Sequence, residues 1–226
     1  MPGRAGRDRM DAARHTPEQI FSELIQRYPQ LKGCEAQIMA AYDALVRCYG
    51  SGGKVLVAGN GGSAADSEHI TGELMKSFRF RHDIPEDRKR RLEDMYGEDG
   101  RFLADTLESG LPAIPLPSLQ ALGTAFSNDR NGLAVYAQLV NVMANGNDVF
   151  IGISTSGNSK NVCYALMAAK EKGVFTIALT GESGGRCKGL CDVCINVPEK
   201  ETFKIQELHL PVYHALCSMV ESRFFA

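Results

Sequence analysis

Short apolar runs rich in β-branched residues alternate along the chain with longer stretches whose apolar residues have helical spacing. The five short runs cover residues 54–58, 113–116, 148–153, 174–179 and 192–197. Runs of this length bounded by glycine or polar residues predict buried strands, and the longer stretches predict the helices that connect them. The repeated order of strand, helix and strand indicates an α/β fold with a parallel sheet and helices on both faces.

Further helices are predicted at both ends of the chain. Thr16, Pro17 and Gln19 have the spacing of a helix start, with Thr as the cap, Pro at the first helical position and Gln at the third. The predicted ranges are 16–29, about 34–48 and about 203–225. We therefore expect two helices ahead of the first strand and one long helix after the last strand.

Two segments depart from this alternation. Residues 1–15 combine four arginines with two aspartates and have no apolar core, so they predict a disordered leader and not a secretory signal. Residues 79–101 hold seven basic and seven acidic side chains. Because the carboxylates balance the basic run at 88–91, we interpret this segment as a solvated insert that extends to about 110. Residues 16–226 are predicted to form one domain that carries this insert.

The composition excludes two classes of function. Lys and Arg number 25 and Asp and Glu number 27, which gives a formal net charge of −2. The chain therefore lacks the clearly basic balance of a nucleic-acid-binding protein. It also lacks an apolar run of about 18 residues, so we expect no membrane-spanning segment. The length of 226 residues fits a single domain with a substantial core.

Three of the seven cysteines, Cys187, Cys191 and Cys194, have a spacing that also occurs where an iron–sulfur cluster is held. The interpretation that we favour is that they are small buried hydrophobic residues at the start of the last strand. In a continuous strand the pleat would put Cys191 and Cys194 on opposite faces. An odd number of cysteines without an export signal favours reduced thiols and a cytoplasmic location.

Two polar loops follow predicted strands and precede predicted helices. The first is the Gly-Asn-Gly-Gly-Ser turn at 59–63, and the second is the Ser-Thr-Ser-Gly-Asn-Ser loop at 154–159. Neither has the dinucleotide fingerprint or the P-loop lysine, so no nucleotide cofactor is expected. A serine in the second loop has an alternative use as a helix cap. Because both loops end parallel strands and aim backbone N–H groups at one crevice, together they favour a phosphorylated small molecule.

These loops resemble the sugar isomerase (SIS) domain family. The family likeness is carried by 59–63, 152–159, Thr180-Gly181 and Gly184-Gly185. Within the family the chain is most similar to phosphoheptose isomerases, through His69 and Glu73, Ser127-Asn128-Asp129, Ile205-Gln206-Glu207 and His214. The resemblance implies a three-layer, flavodoxin-like sandwich with a central five-stranded parallel sheet. It also implies conversion of sedoheptulose 7-phosphate to D-glycero-D-manno-heptose 7-phosphate, which feeds the synthesis of nucleotide-activated heptoses.

His69 and Glu73 are four residues apart on the helix predicted after the first loop, so they share one face. That spacing can hold a metal ion or orient an acid–base pair, although a surface ion pair is the commoner outcome. Gln206 and His214 on the last helix differ by about 80° in direction and about 12 Å along the axis. Both can serve one site only if a ligand or metal spans the gap, or if neighbouring subunits contribute one residue each.

For the chemistry we assign Glu73 as the base and His214 as the acid of an aldose–ketose isomerisation through an enediol. The resemblance implies zinc ligation by His69, Glu73, Gln206 and His214, and a homotetramer with sites near subunit interfaces. The substrate-binding residues predicted in the same way are Asn60, Gly61, Gly62, Ser63, Glu73, Asn128, Asp129, Ser154, Thr155, Ser156, Ser159 and Gln206. A zinc-bound carboxylate is a weaker base. The metal is then absent in turnover, or Glu73 leaves it, or the metal polarises the carbonyl while another group moves the proton.

The remaining histidines are given no catalytic role. We interpret His209 as a helix-surface residue, and His15 and His82 fall in the leader and the insert. Two other functions stay open within the superfamily: a non-catalytic scaffold that resembles the DnaA initiator-associating protein, and a sugar-phosphate-sensing module. The presence of both Glu73 and His214 favours the enzyme over the scaffold. The absence of a predicted basic recognition helix in the first 48 residues favours it over the sensor.

Overall fold

The computed structural model describes residues 15–226, so the predicted leader lies outside the described residues apart from His15. Five strands form one parallel sheet in the order β2-β1-β3-β4-β5. The strands are β1 (Val55–Ala58), β2 (Ala113–Pro115), β3 (Val149–Ile153), β4 (Phe175–Thr180) and β5 (Val193–Asn196). Each lies within about one residue of its predicted range. The predicted α/β fold is therefore confirmed, and this strand order is the flavodoxin-like one.

Eight α-helices accompany the sheet in the described part of the chain. They are α1 (Pro17–Arg27), α2 (Glu35–Gly50), α3 (Gly62–Met75), α4 (Glu86–Thr106), α5 (Gln120–Asp129), α6 (Val135–Met143), α7 (Lys160–Glu171) and α8 (Thr202–Phe225). The predicted start of α1 is confirmed by two hydrogen bonds. The Thr16 hydroxyl accepts from the backbone N–H of Gln19, and the Gln19 side chain accepts from the backbone N–H of Thr16.

Two hydrophobic cores lie on opposite faces of the sheet. Along β1, Val55 and Val57 belong to the first core and Leu56 and Ala58 to the second, because successive side chains of a strand point to opposite faces. The first core is closed by α1, α2, α3 and α8, and the second by α6 and α7. The predicted three-layer sandwich is thus confirmed. No helix within residues 15–226 combines the length and the apolar content needed to cross a membrane.

The charged insert forms α4, whose side chains are mostly exposed. Its charges pair along the helix surface, for example Arg91 with Asp87 at 2.7 Å and Lys89 with Glu86 at 2.8 Å. The helix is interrupted at Gly97, which has a φ of 59° that other residues rarely adopt. These features agree with the prediction of a solvated segment.

A buried carboxylate fixes the chain that enters the insert. Glu221 of α8 accepts hydrogen bonds from the backbone N–H groups of Phe78, at 2.7 Å, and Arg79, at 3.0 Å. Its Oε1 also lies 3.1 Å from Nε2 of His82, and both side chains are buried. His82, for which no role was predicted, therefore anchors the insert to α8.

Two expectations from the sequence are wrong. His209 is not a helix-surface residue: it is fully buried on α8, and its Nε2 lies 3.3 Å from the carbonyl oxygen of Thr180. Cys191 and Cys194 do not both lie in the last strand, so the expected placement on opposite faces of one strand does not hold. The physical reason is that β5 begins only at Val193, so Cys191 lies in the preceding turn and the pleat does not govern its direction.

Candidate active site

The glycine turn at 59–63 brings the end of β1 into close contact with α3 and α8. Gly61 has a φ of 55°, so the turn needs glycine there. A Cβ at Gly59 would lie 2.5 Å from the backbone oxygen of Ser63. A Cβ at Gly62 would lie 2.6 Å from Nε2 of Gln206. The glycines therefore let the start of α3 approach both its own turn and the Gln206 amide on α8.

The hydroxyl-rich loop at 154–159 is held in shape by its own side chains. The hydroxyl of Ser154 donates to that of Ser159 at 3.0 Å, and the hydroxyl of Ser156 accepts from the backbone N–H of Asn158 at 3.1 Å. Gly157 has a φ of 66°, and a Cβ there would lie 2.1 Å from the carbonyl oxygen of Gly184. The loop is thus built against the 184–185 turn that follows β4.

The helix-cap alternative for this loop receives little support from the structure. Ser159 is the N-cap residue of α7, yet within the described chain its side chain makes no capping hydrogen bond. Ser156 is exposed and Thr155 is partly exposed. The loop leads directly into the N-terminus of α7, where the helix favours an anion.

An amide pair that sequence reasoning missed joins the two loops. Asn60 and Asn161 exchange two hydrogen bonds, of 2.9 and 2.8 Å, so the glycine turn is tied to the first turn of α7. The hydroxyl of Tyr136 on α6 donates to the carbonyl oxygen of Gly59 at 2.8 Å. Asn161 lies two positions after the predicted loop, and this proximity could have marked it as a candidate site residue. The role of Tyr136 could not be predicted, because nothing in its local sequence indicates a contact with Gly59.

His69, Glu73 and His214 form one cluster between α3 and α8. Nε2 of His69 lies 3.2 Å from Oε1 of Glu73 and 3.3 Å from Nε2 of His214. The ammonium of Lys76 also lies 3.2 Å from Glu73. Burial lowers the pKa of His214, and the neighbouring His69 adds to that effect while Glu73 opposes it. The two residues assigned as acid and base therefore lie at one site in a single chain.

A tyrosine and an aspartate behind this cluster orient His69, and neither was predicted. The hydroxyl of Tyr213 lies 3.1 Å from Nδ1 of His69 and 3.2 Å from Oδ1 of Asp66. Burial raises the pKa of Asp66, and burial also raises the pKa of Tyr213, with the nearby Asp66 carboxylate adding to the effect. Asp66 is three residues before His69 on α3, and that spacing was the only signal in the sequence.

Other predicted site residues are not brought to this cluster. The Gln206 amide lies against Gly62, which is seven residues, or about 10 Å of helix, before His69. Both Gln206 and His214 nevertheless face α3 of their own chain. Asn128 and Asp129 lie at the exposed C-terminal end of α5, where the Asn128 amide donates to Asp129 at 3.2 Å.

The donor atoms of the cluster fit a divalent cation in part. Within residues 15–226, no three or more His, Cys, Asp and Glu side chains form a complete preformed metal site. The separations of His69 from Glu73 and from His214 are nevertheless those of ligand pairs, since two ligands of one tetrahedral zinc ion lie about 3.3 Å apart. If Tyr213 donates to Asp66, Nδ1 of His69 carries the proton and Nε2 presents a lone pair. The chemistry of the donor atoms and the spacing of these two pairs thus suit zinc.

Comparisons with known proteins match this chain to one family of enzymes. Residues 103–181 match the family model of the SIS domain. The chain is 39% identical over 180 residues to the phosphoheptose isomerase of Aneurinibacillus thermoaerophilus, covering 80% of this chain and 78% of that protein. It is also 39% identical to phosphoheptose isomerase 2 of Campylobacter jejuni, covering 80% and 77%. Among solved structures, the phosphoheptose isomerase of Neisseria gonorrhoeae has a TM-score of 0.69 at 32% identity, covering 89% of this chain and 95% of that one. That of Francisella tularensis has a TM-score of 0.70 at 30% identity, covering 90% and 95%.

Proposed function

The chain belongs to the phosphoheptose isomerase family, and on that basis we propose that it converts sedoheptulose 7-phosphate to D-glycero-D-manno-heptose 7-phosphate. The observation that carries this proposal is the cluster of His69, Glu73 and His214, which lies about two turns along the helix that begins at the glycine turn. A carboxylate, two imidazoles and a neighbouring hydroxyl-rich loop are the groups that isomerisation of a sugar phosphate requires.

The 154–159 loop is the proposed phosphate site. Its hydroxyls and the N-terminus of α7 offer donors to a phosphate without a cationic side chain. The amide pair of Asn60 and Asn161 then fixes the distance between this loop and the glycine turn. A phosphate held at one end would direct the sugar chain along the glycine turn toward α3.

The proposed chemistry moves one proton between neighbouring carbons. Glu73 removes the proton from the carbon beside the carbonyl group and returns it to the former carbonyl carbon. His214 supplies a proton to the carbonyl oxygen and then takes one from the hydroxyl oxygen on the neighbouring carbon, where the new carbonyl group forms. The contact between His69 and both residues supports their action on one substrate. The hydrogen bond from Lys76 restrains the Glu73 carboxylate.

Zinc is the proposed cation, held by His69, Glu73 and His214. Two acceptor atoms, Oε1 of Glu73 and Nε2 of His214, lie within 3.3 Å of Nε2 of His69. They support this proposal, because a cation among the three atoms would relieve their mutual repulsion. When bound, the ion would polarise the carbonyl oxygen of the substrate. Gln206, which the family resemblance adds to the set, remains a predicted fourth ligand.

A homotetramer with sites near subunit interfaces is the proposed assembly. Helix α5 supports it, since none of the described residues of this helix is buried within the chain. The helix ends with Asn128 and Asp129, so a neighbouring subunit that covered it would bring these predicted substrate contacts to an interface. We also propose a cytoplasmic location, which is supported by the free state of all seven cysteines.

The test measures isomerisation of sedoheptulose 7-phosphate by the wild-type chain and two variants of α3. Glu73→Gln removes the proposed base, whereas Glu68→Gln changes a carboxylate on the same helix that instead accepts from the Ser118 hydroxyl at 2.6 Å. We expect Glu68→Gln to retain activity and Glu73→Gln to lose about 100-fold or more. Undiminished turnover by Glu73→Gln would remove Glu73 from the role of base.

A second measurement separates an enzyme from a scaffold or sensor. In deuterated water, the proposed reaction exchanges protons at C1 and C2 of the substrate, whereas a protein that only binds the sugar exchanges none. A panel of ketose phosphates of different length then identifies the preferred sugar. Absence of exchange with every member of the panel would contradict the proposed function.

A further inference from the structure

The backbone between α3 and α4 passes both residues that are assigned as base and acid. Lys76 directly follows α3, and its ammonium lies 3.2 Å from the carboxylate of Glu73. Two residues later the ring of Phe78 lies against the ring of His214, with 5.5 Å between the ring centres and 46° between the ring planes. One short stretch of chain therefore contacts the side chains of both residues.

A single carboxylate on α8 fixes this stretch of chain. Oε1 of Glu221 accepts from the backbone N–H of Phe78 at 2.7 Å, and Oε2 accepts from that of Arg79 at 3.0 Å. Nε2 of His82 lies 3.1 Å from Oε1, and it is the donor because a carboxylate only accepts. All three donors belong to residues 78–82. The Glu221 side chain is 4% exposed, so water does not compete for these bonds.

His82 is itself held from two sides. Its ring stacks on the ring of Phe225 at the end of α8, with 4.0 Å between the centres and 11° between the planes. Its backbone N–H donates to the hydroxyl of Ser77 at 3.1 Å, which closes the stretch from 77 to 82 into a turn. The Nε2 atom is thereby aimed at Glu221, while the buried Nδ1 has no hydrogen-bond partner among residues 15–226.

Stability alone does not account for this network. Removing a carboxylate from water is costly, and the buried Nδ1 of His82 without a partner adds to the cost. Apolar side chains of similar volume often give a protein that is as stable or more stable. The network instead specifies one backbone conformation for residues 78–82, because each of its three donors has a fixed direction.

We propose that Glu221 is a positioning residue of the active site. It fixes the backbone N–H of Phe78, and in this way it keeps the Phe78 ring against His214. It touches neither Glu73 nor His214, so it acts through the chain between α3 and α4. His82 has the supporting part of keeping the Glu221 carboxylate in place. This inference rests on the proposed function.

His214 depends on the Phe78 contact because the packing on this side of its ring is incomplete. The ring borders a cavity of about 280 Å³ between α1 and α8, whose wall also contains Phe78, Arg79 and Ser218. The Arg79 guanidinium donates to the Ser218 hydroxyl at 3.3 Å, which joins the neighbour of Phe78 to α8 as well. Outward movement of the chain would separate Phe78 from His214 and enlarge the cavity. The imidazole would then be held less well in its reactive orientation.

The first measurement tests the hold of Glu221 on the backbone and does not depend on activity. Hydrogen–deuterium exchange with mass spectrometry follows the peptides that contain the N–H groups of Phe78 and Arg79. We expect exchange there to be about tenfold faster or more in Glu221→Gln, because the new amide nitrogen cannot accept from an N–H group. Unchanged exchange in this variant would refute the inference.

The chain offers a matched control in Asp148. This carboxylate is also buried, and it accepts from the backbone N–H groups of Lys54 at 2.9 Å and Asn145 at 2.8 Å. It directly precedes β3, at the edge of the sheet opposite the two polar loops. Asp148→Asn should lower the denaturant midpoint, as Glu221→Gln does, but leave kcat and the exchange at residues 78–79 unchanged.

The second measurement is steady-state kinetics with sedoheptulose 7-phosphate. We expect Glu221→Gln to lower kcat about tenfold or more with little change in KM, because the glycine turn and the 154–159 loop are not altered. Phe78→Leu should lower kcat while Glu221 is intact. The double variant should be no slower than the slower single variant, since both changes remove the same contact with His214. Independent, multiplying losses would refute action through Phe78.

Two substitutions of His82 test its supporting part and serve if Glu221→Gln does not fold. His82→Phe retains a ring to stack on Phe225 but loses the donor, so it should speed exchange at 78–79 and lower kcat. His82→Gln retains an amide donor and should restore much of both. Equal kcat in these two variants would refute the part assigned to His82.

Two further results would overturn the positioning role of Glu221. One is an equal loss of kcat in Glu221→Gln and Asp148→Asn, which would be an effect of stability. The other is an unchanged kcat in Glu221→Gln despite faster exchange at residues 78–79. A wild-type protein that isomerises no sugar would instead contradict the proposed function, and the exchange measurement would still decide whether Glu221 fixes the chain.

Discussion

The phenolic oxygen of Tyr213 lies 3.1 Å from Nδ1 of His69, and this contact joins α8 to α3 behind the candidate active site. The same oxygen lies 3.2 Å from Oδ1 of Asp66, whose Oδ2 is buried and has no hydrogen-bond partner among residues 15–226. With the Tyr213 hydroxyl donating to Asp66, His69 must donate through Nδ1. Its Nε2 lone pair then faces Glu73 and His214. A second layer of side chains thus sets the direction in which His69 can act.

Removal of this hydroxyl is expected to impair turnover. In Tyr213→Phe, His69 loses the acceptor that fixes its tautomer, so we expect kcat to fall about tenfold or more with little change in KM. Steady-state kinetics measures both constants. Tyr49→Phe is the matched control, because the buried Tyr49 hydroxyl has no hydrogen-bond partner within the described residues. Equal kinetics for the two variants would mean that the contact with His69 has no function.

Substitution of Gly157 tests the hydroxyl-rich loop. In Gly157→Ala the new Cβ would lie 2.1 Å from the carbonyl oxygen of Gly184, at a φ of 66°, so the loop must move. We expect the free energy of unfolding to fall by about 2 kcal/mol or more and KM for the sugar phosphate to rise. Gly146→Ala is the control, since no atom lies within 4 Å of the added Cβ. Denaturant unfolding and kinetics of both variants check the prediction, and unchanged KM in Gly157→Ala would argue against a phosphate site there.

Metal analysis tests the proposed cation. We expect purified protein to contain zinc, and we expect His69→Ala to lose most of it because this residue lies next to both Glu73 and His214. Glu68→Gln on the same helix should retain the metal. Gln206→Ala then tests whether the Gln206 amide is a zinc ligand. If this variant loses zinc, the amide must move away from Gly62 when it binds the metal. Equal metal content in His69→Ala and the wild type would exclude the cluster as the binding site.

Acid stability should report on the buried His209. Burial lowers the pKa of His209 to about 4, from about 6.5 in the unfolded chain. As the pH falls, His209 therefore becomes protonated in the unfolded chain at a higher pH than in the folded protein. This residue leaves the free energy of unfolding unchanged above about pH 6.5 and lowers it as the pH falls toward 4. At pH 5 the free energy of unfolding should be lower by about 2 kcal/mol because of this residue. Urea unfolding at pH 7 and pH 5 measures the loss, which should be smaller in His209→Gln. An equal loss in both proteins would contradict the assignment.

The fold was predictable because it depends on local patterns. The five apolar runs became the five strands, and Thr16 with Gln19 formed the expected helix cap. The two polar loops were also found, since each directly follows a strand. Such features are encoded within a few consecutive residues, where spacing and residue type limit what the backbone can do.

Errors arose where the outcome depends on packing between distant segments. The sequence around a helical histidine does not show whether its face of the helix is packed against another element. His209 packs against the end of β4. The direction of Cys191 depended on where β5 begins, a boundary shifted by one residue from the predicted start. The contact between Asn60 and Asn161 spans about 100 positions, so no local pattern could reveal it.

By itself the sequence determined the layer architecture, the loops at the carboxyl ends of the strands and the placement of His69 and Glu73 on one helix face. The tertiary structure decided that His214 meets them within one chain, that Gln206 lies instead at Gly62, and that Tyr213 stands behind His69. The physical reason is that helical periodicity fixes the angular position of a residue on its own helix. Which residues of α3 and α8 then face each other is set by the packing of both helices against the same sheet.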